Sequence, residues 1–251
     1  MLEKVDLEKV VTIAREAASA IMEIYQKDFS VEYKFDDSPL TEADLKSNEI
    51  ICNALMALYP NIPILSEENK TVAYEERKLW ECFWLIDPID GTKEFIKKND
   101  EFTINIALIK KGIPVLGVVF APAIDEMYVA KKGEGAFKNG VKLPLIQNNN
   151  LKEKIFVVAS KSHLSLETQE FIDSLESKSI EQVSKGSSLK LCMVAEGVAD
   201  IYPRLASTME WDTAAAHAIV LESGKEVIQF ETKEALTYNK KDLLNPWFMV
   251  K

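Results

Sequence analysis

The sequence predicts a layered sandwich of the α/β or α+β class. Three observations carry that expectation. Apolar residues recur at helical spacing twice before any clear strand. Residues 83–130 then switch to short apolar or alternating runs separated by Gly-containing turns. Beyond residue 155, extended and helical runs alternate. A chain of 251 residues with 47% hydrophobic side chains is enough for one large or two intimate domains around a buried core.

The elements follow in order. Val10, Ala14, Ala17, Ile21 and Ile24 mark a helix over 4–27. After the polar stretch Asp36-Asp37-Ser38-Pro39, a second helix is predicted over 41–58. Ile50, Ile51, Ala54, Leu55 and Leu58 face inward, and Tyr59-Pro60 ends it. A short apolar segment over 62–65 leads into Ser66-Glu67-Glu68, and Phe83-Trp84-Leu85-Ile86 reads as a buried strand. Residues 102–109 alternate, Lys111-Gly112 turns, and 115–120 and 127–130 continue as strands. Gly133 and Gly135 are further turns, so the block reads as an antiparallel meander. Asn148-Asn149-Asn150 marks the expected boundary between units 1–150 and 151–251. The second unit opens with a strand over 155–159 and a helix near 165–176. Gly186-Ser187-Ser188 starts a helix that runs to about Glu196, closed by Gly197. A strand over 199–202 and a helix from Asp212 to about Glu222, closed by Gly224, complete the pattern.

Bulk properties narrow the function. A net charge of −10 argues against a nucleic-acid partner, whose binding rests on phosphate neutralisation. It leaves room for a small anionic substrate, because a bound metal reverses the local field. Cys52, Cys82 and Cys192 are odd in number and form no CxxC pair, which reads as reduced thiols of a cytoplasmic protein. The charged, helix-patterned N-terminus is not a secretory signal, and no apolar run is long enough to cross a membrane. Monomer and homodimer are both open.

The most informative segment is Asp87-Pro88-Ile89-Asp90-Gly91-Thr92, directly after the apolar run. Pro88 fixes its own φ and Gly91 tolerates unusual backbone angles. The segment can therefore aim Asp87, Asp90, the Ile89 carbonyl and the Thr92 hydroxyl at one hard cation such as Mg²⁺. An Asp-Pro turn with a helix cap is the alternative. Other acids also sit at element ends and also have two readings. Asp44 with Thr41 matches a capping box. Asp212 matches an N-cap, and Glu67-Glu68 matches a solvated loop pair. His217, in Ala214-Ala215-Ala216-His217, reads as a packed helix residue.

Taken together, Ser66-Glu67-Glu68, Asp87-Pro88-Ile89-Asp90-Gly91-Thr92 and Trp211-Asp212, in this order, resemble the inositol-monophosphatase-like, Mg²⁺-dependent, lithium-sensitive phosphatases. Ser38-Pro39-Leu40-Thr41-Glu42-Ala43-Asp44, Gly133-Glu134-Gly135-Ala136-Phe137 and Asn245-Pro246 extend the likeness over nearly the whole chain. Lys93-Glu94-Phe95 after the Asp-Gly-Thr departs from the inositol monophosphatases, which usually have Asn two residues after that Thr, while Ser160-Lys161-Ser162-His163, the run 186–192 and Thr208-Met209-Glu210-Trp211-Asp212-Thr213-Ala214 are similar to the 3'(2'),5'-bisphosphate nucleotidases of that superfamily.

The resemblance implies an αβαβα sandwich and hydrolysis of the 3'-phosphate of 3'-phosphoadenosine 5'-phosphate to AMP, inhibited by Li⁺ and Ca²⁺. It implies two Mg²⁺ per site, with a place for a third. Glu67, Asp87 and the Ile89 carbonyl would hold the first, Asp87 would bridge to a second on Asp90 and Asp212, and Glu68 would lie near the third. Thr92 and Asp44, with Glu67, would act on the attacking water. Gly91, Thr92, Lys93, Ser162, His163, Gly186, Ser187, Ser188, Lys190 and Arg204 are the expected substrate contacts. An inositol phosphate or sugar bisphosphate is the alternative substrate, and a non-catalytic phosphonucleotide sensor the alternative class. The chain departs from the family at Gly224-Lys225, where a Gly-Gly pair is common, and in the loop over 227–236.

Overall fold

A computed structural model describes residues 2–27, 29–33, 39–69, 72–146, 153–159, 165–177 and 179–251. In chain order the elements are α1 (Leu7–Tyr25), β1 (Val31–Tyr33), β2 (Pro39–Thr41), α2 (Glu42–Leu58), β3 (Ile64–Ser66), α3 (Tyr74–Arg77), β4 (Cys82–Asp90) and α4 (Thr92–Ile96). The meander follows as β5 (Thr103–Lys110), β6 (Ile113–Ala121), β7 (Glu126–Lys131), β8 (Gly135–Lys138) and β9 (Val141–Lys142). The remainder is β10 (Ile155–Val158), α5 (Leu166–Asp173), β11 (Ile180–Val183), α6 (Leu189–Glu196), β12 (Tyr202–Arg204), α7 (Glu210–Glu222), β13 (Val227–Gln229) and β14 (Phe248–Val250).

The predicted meander is the centre of the molecule. Strands β3 to β9 form one sheet in sequence order, with β3 parallel to β4 and the other pairs antiparallel. Alternation along its central strands divides the core. Trp84, Ile86, Ile104, Ile106 and Leu108 face α1 and α2, where Val10, Ala14, Ala17, Ile21, Ile51 and Leu55 meet them. Leu85, Ala107, Ile109 and Val119 face the other way, onto Leu189 and Val194 of α6 and Ala214, Ala215 and Ile219 of α7. Beyond those helices lie the β12-β14-β13 sheet and the parallel pair β10-β11, linked by the bridge Val157–Ile201. Ile172 of α5 covers Val157 and Ala159. The layers run α1/α2, large sheet, α6/α7, small sheets, α5, so the expected αβαβα sandwich is what the chain forms.

Small residues set the spacing between the large sheet and α7. A Cβ added to Gly117 of β6 would lie 2.1 Å from the Ala215 carbonyl oxygen. The run Ala214, Ala215, Ala216 and Ala218 presents little side chain to the sheet. Helix α7 therefore lies close on it, and the helix start is held near the end of β4.

Several expectations are corrected. The strand expected to stop at Ile86 continues through both carboxylates to Asp90, with a register shift between Asp87 and Asp90. Pro88 lacks the N–H that an unbroken ladder needs there. The strand expected over 199–202 forms over 202–204 instead, pairing with β14. Helix α7 starts at Glu210, so Asp212 is its third residue and accepts from Met209 N at 2.9 Å, rather than standing first. Strand β11 and the single-turn α3 had no expectation. The expected boundary at Asn148-Asn149-Asn150 lies outside the described residues, and one continuous core contains Leu65 and Phe83 together with Leu189 and Ile219.

Candidate active site

The end of β4 builds the site. Asp87 is buried, and its Oδ1 accepts from Ile89 N at 3.1 Å, which folds the Pro88-Ile89 bulge over the carboxylate. Ser47 Oγ of α2 donates to the Pro88 carbonyl at 2.9 Å and fixes the bulge from the other side. At the parallel edge, Glu67 N donates to the Ile86 carbonyl at 3.2 Å, which brings Glu67 beside Asp87. Asp212 arrives from α7. Carboxylate oxygens of Glu67, Asp87 and Asp212 lie within 4.8 Å of one another.

Electrostatics identify what this cluster lacks. Burial first, then Glu67, Asp90, Asp212 and Asp44, push the Asp87 carboxyl well above the usual carboxylate range. Burial and then Asp90 do the same to Asp212. Burial also raises Asp90 to about 6, against the pull of Lys190 and the Ser188 backbone N–H. Crowded, desolvated carboxylates disfavour their own ionisation. A hard divalent cation supplies the missing charge, and a set made wholly of oxygen ligands suits Mg²⁺. The residues present therefore fit the metal.

Asp44 and Thr92 form a second unit. Thr41 N at 2.8 Å and Thr41 Oγ1 at 2.6 Å donate to Asp44 Oδ2. Thr92 Oγ1 lies 3.1 Å from Asp44 Oδ1 and 3.3 Å from the Ile89 carbonyl. The capping and functional readings of Asp44 are thus one geometry, with one oxygen capping α2 and the other facing Thr92. Burial raises the Asp44 carboxyl above its ordinary value.

Beside the carboxylates opens a cleft of about 150 Å³, lined by Asp90, Gly91, Glu94, Ser187, Ser188, Lys190, Leu191, Tyr202, Arg204, Thr208, Asp212, Thr213 and Phe248. The expected Gly91, Ser187, Ser188, Lys190 and Arg204 are thereby brought together with Asp90 and Asp212. Gly91 has φ 91°, and a Cβ there would meet Ser187 Oγ at 2.2 Å. Gly186 does not line the cleft, and a Cβ there would meet the Glu101 carbonyl oxygen at 2.6 Å. Ser187 Oγ bonds the carbonyls of Asp90 at 2.8 Å and Glu101 at 2.7 Å, so its hydroxyl holds the wall of the cleft. Lys190 Nζ donates to the Lys185 carbonyl at 3.2 Å, and burial lowers its pKa despite Asp90. Arg204 Nη2 donates to the Ser207 carbonyl at 2.8 Å, while its buried Nε has no partner.

Lys93 is exposed on α4 and is not among the residues lining the cleft. Glu68 is half-buried and lies outside the tight carboxylate set. Ser162 and His163 lie outside the described residues. His217 is buried with Nδ1 2.8 Å from Tyr238 OH, as expected of a packed residue. Sequence reasoning missed Thr103 and Asn105, both buried on β5 opposite Asp90 and Asp87. Their signal was present: two polar residues interrupt the otherwise apolar run from Phe102 to Ile109.

Comparison with known proteins gives a consistent result. The model of the inositol monophosphatase family matches residues 3–247. The 3'(2'),5'-bisphosphate nucleotidase CysQ of Salmonella typhimurium is 46% identical over 248 residues, covering 97% of this chain and 98% of that protein. Its Escherichia coli K12 counterpart is 44% identical over the same length. The crystal structure of CysQ from Bacteroides thetaiotaomicron superposes with a TM-score of 0.85 at 42% identity, covering 98% of this chain and 96% of that one. A Thermotoga maritima IMPase superposes with a TM-score of 0.76 at 27% identity, covering 96% and 89%.

Proposed function

The chain belongs to the inositol monophosphatase family, and from that premise we propose that it is a 3'(2'),5'-bisphosphate nucleotidase. It removes the 3'-phosphate of 3'-phosphoadenosine 5'-phosphate to give AMP and phosphate. One observation carries the choice of substrate: the carboxylates Asp90 and Asp212 share a cleft with the cations Lys190 and Arg204. A carboxylate-bound metal serves the scissile phosphate, and the two cations suit the second phosphate of a bisphosphate.

Glu67, Asp87 and the Ile89 carbonyl would hold one Mg²⁺. Asp87, Asp90 and Asp212 would hold a second, with Glu68 beside a weaker third. Bound Mg²⁺ neutralises charge on the phosphoryl oxygens and makes water more acidic. The chain's own groups do the rest. Thr92 Oγ1 accepts a proton from the attacking water as it passes its own to Asp44 Oδ1, the acceptor whose raised pKa suits it to the task; the water oxygen bonds to phosphorus as the bond from phosphorus to the 3'-oxygen breaks, and the 3'-oxygen leaves with a proton taken from solvent. Lys190 and Arg204 orient the nucleotide. A cytoplasmic location accords with three buried free cysteines.

The test is phosphate release from 3'-phosphoadenosine 5'-phosphate, inositol 1-phosphate and fructose 1,6-bisphosphate, each with Mg²⁺ and with Mg²⁺ plus Li⁺. The nucleotide is expected to lead in kcat/KM, with Li⁺ inhibiting. A leading inositol or sugar phosphate would overturn the substrate and leave the metal site standing. Mg²⁺-dependent binding of the nucleotide without release would make the protein a sensor.

A further inference from the structure

Asn105 is 1% exposed, and its side-chain Nδ2 has no hydrogen-bond partner. A buried donor without an acceptor has given up its bonds to water for nothing, so native chains seldom keep one without a use. Its surroundings point to that use. Asn105 of β5 is the direct antiparallel partner of Asp87 of β4. Opposed residues of such a pair share a face of the sheet. The next pair on that face, Leu85 and Ala107, packs in the core under α6 and α7. The amide therefore sits on the Asp87 side of the sheet, below the helix that carries Asp212.

The rest of the amide fixes which end points where. Ser188 Oγ donates to Asn105 Oδ1 at 2.9 Å, and Thr103 Oγ1 lies 3.3 Å from Oδ1 and 2.9 Å from Ser188 Oγ. All three side chains are buried. With Oδ1 held by hydroxyls, Nδ2 is the end left to face the carboxylates. The reverse orientation would set an acceptor against a cluster that already repels itself.

We propose that Asn105 is a positioning residue for the metal site: its Nδ2–H makes no hydrogen bond within the described residues and lies on the Asp87 side of the sheet, as the donor the Asp87 carboxylate would turn to on binding an ion, with Ser188 holding the amide in the orientation this requires. The inference rests on the Mg²⁺-dependent reading above. Donors behind a ligating carboxylate fix its angle, and losing one typically weakens metal binding about 10- to 100-fold.

Calorimetric titration with Mg²⁺ and with Mn²⁺, without substrate, tests it on the parent, Asn105→Ala and Ser188→Ala. Melting curves in chelator establish that each variant is folded. Asn105→Ala is expected to raise the Mg²⁺ Kd about 10-fold or more, and Ser188→Ala to move it the same way by less. A purely structural amide would lower the melting temperature and leave the Kd of the folded variant alone. A Kd within about twofold of the parent in folded Asn105→Ala overturns the proposal. Should that variant not fold, an unchanged Kd in Ser188→Ala overturns it. A parent that binds neither ion overturns the phosphatase reading instead, so the two failures are distinguishable.

Discussion

Asp87 shows at the scale of one residue how function and stability oppose each other. Its carboxylate is buried within a group of acids, and its charge is unwelcome to the metal-free fold. Asp87→Asn keeps an oxygen for Ile89 N and removes one negative charge. We expect phosphate release to fall at least about 100-fold, the low end of what losing one transition-state electrostatic contact costs. In chelator the same variant should melt higher than the parent, by about 2–4 °C for each kcal/mol of repulsion relieved in a chain of this size. Parent-like activity at saturating Mg²⁺ would remove Asp87 from the ligand set, and a lower melting temperature would contradict the repulsion. Thr92 separates proton handling from metal binding. Thr92→Val keeps the shape and loses Oγ1, so kcat should fall about 10²–10⁴-fold while the Mg²⁺ Kd stays put. Thr92→Ser should restore most of kcat, and a serine variant as slow as the valine would argue for a packing role.

The elements matter through where they end. Gly117 lets α7, the helix that carries Asp212, lie on β6 with its Ala215 carbonyl in the space a Cβ would fill. Gly117→Ala must move backbone rather than a flexible side chain. Overpacking of this kind costs about 1–3 kcal/mol. We expect a lower melting temperature together with weaker Mg²⁺ binding, measured by melting curves and titration, whereas stability lost with Mg²⁺ affinity intact would show that α7 can shift without moving Asp212. The sequence made the local parts of this arrangement readable. The Asp87-Pro88-Ile89-Asp90-Gly91-Thr92 segment, the spacing of α1 and α2, and the Gly197 helix end each depend on near neighbours. Asn105 could be seen as a polar break in an apolar run but not interpreted, because its register against Asp87, eighteen positions earlier, is a property of pairing. The shift of β12 to Tyr202–Arg204 has the same origin, since its partner β14 lies at the far end of the chain. The dual role of Asp44 was half legible: Thr41 and Asp44 spell a cap, but only the docking of β4 brings Thr92 to the second oxygen.

Across the whole molecule, protonation and metal binding compete for the same carboxylates, and the sign of the effect can be worked out. Without metal the folded chain holds protons on these acids that the unfolded chain has released, with Asp90 raised to about 6 from an ordinary 3.8. Their contribution to stability is therefore full in acid, below the ordinary carboxylate range, and is lost as pH rises through their raised values, about 6 for Asp90. The metal-free fold carries this burden at neutral pH. Buried His217 acts the other way, because burial lowers it to about 3 from 6.5. Its contribution is full above 6.5 and drains away as pH falls toward 3. A melting temperature taken alone mixes the two. The difference between Mg²⁺ and chelator isolates the first, because His217 bonds Tyr238 and is not part of the carboxylate cluster. Mg²⁺ binds the folded chain and displaces those protons, so its stabilising increment should be large at pH 8 and shrink steadily toward pH 5. In Asp87→Asn the increment should be small at every pH. Equal Mg²⁺ increments at pH 5 and pH 8 in the parent would mean that the ion is not held by the raised carboxylates, and the proposed ligand set would have to be redrawn.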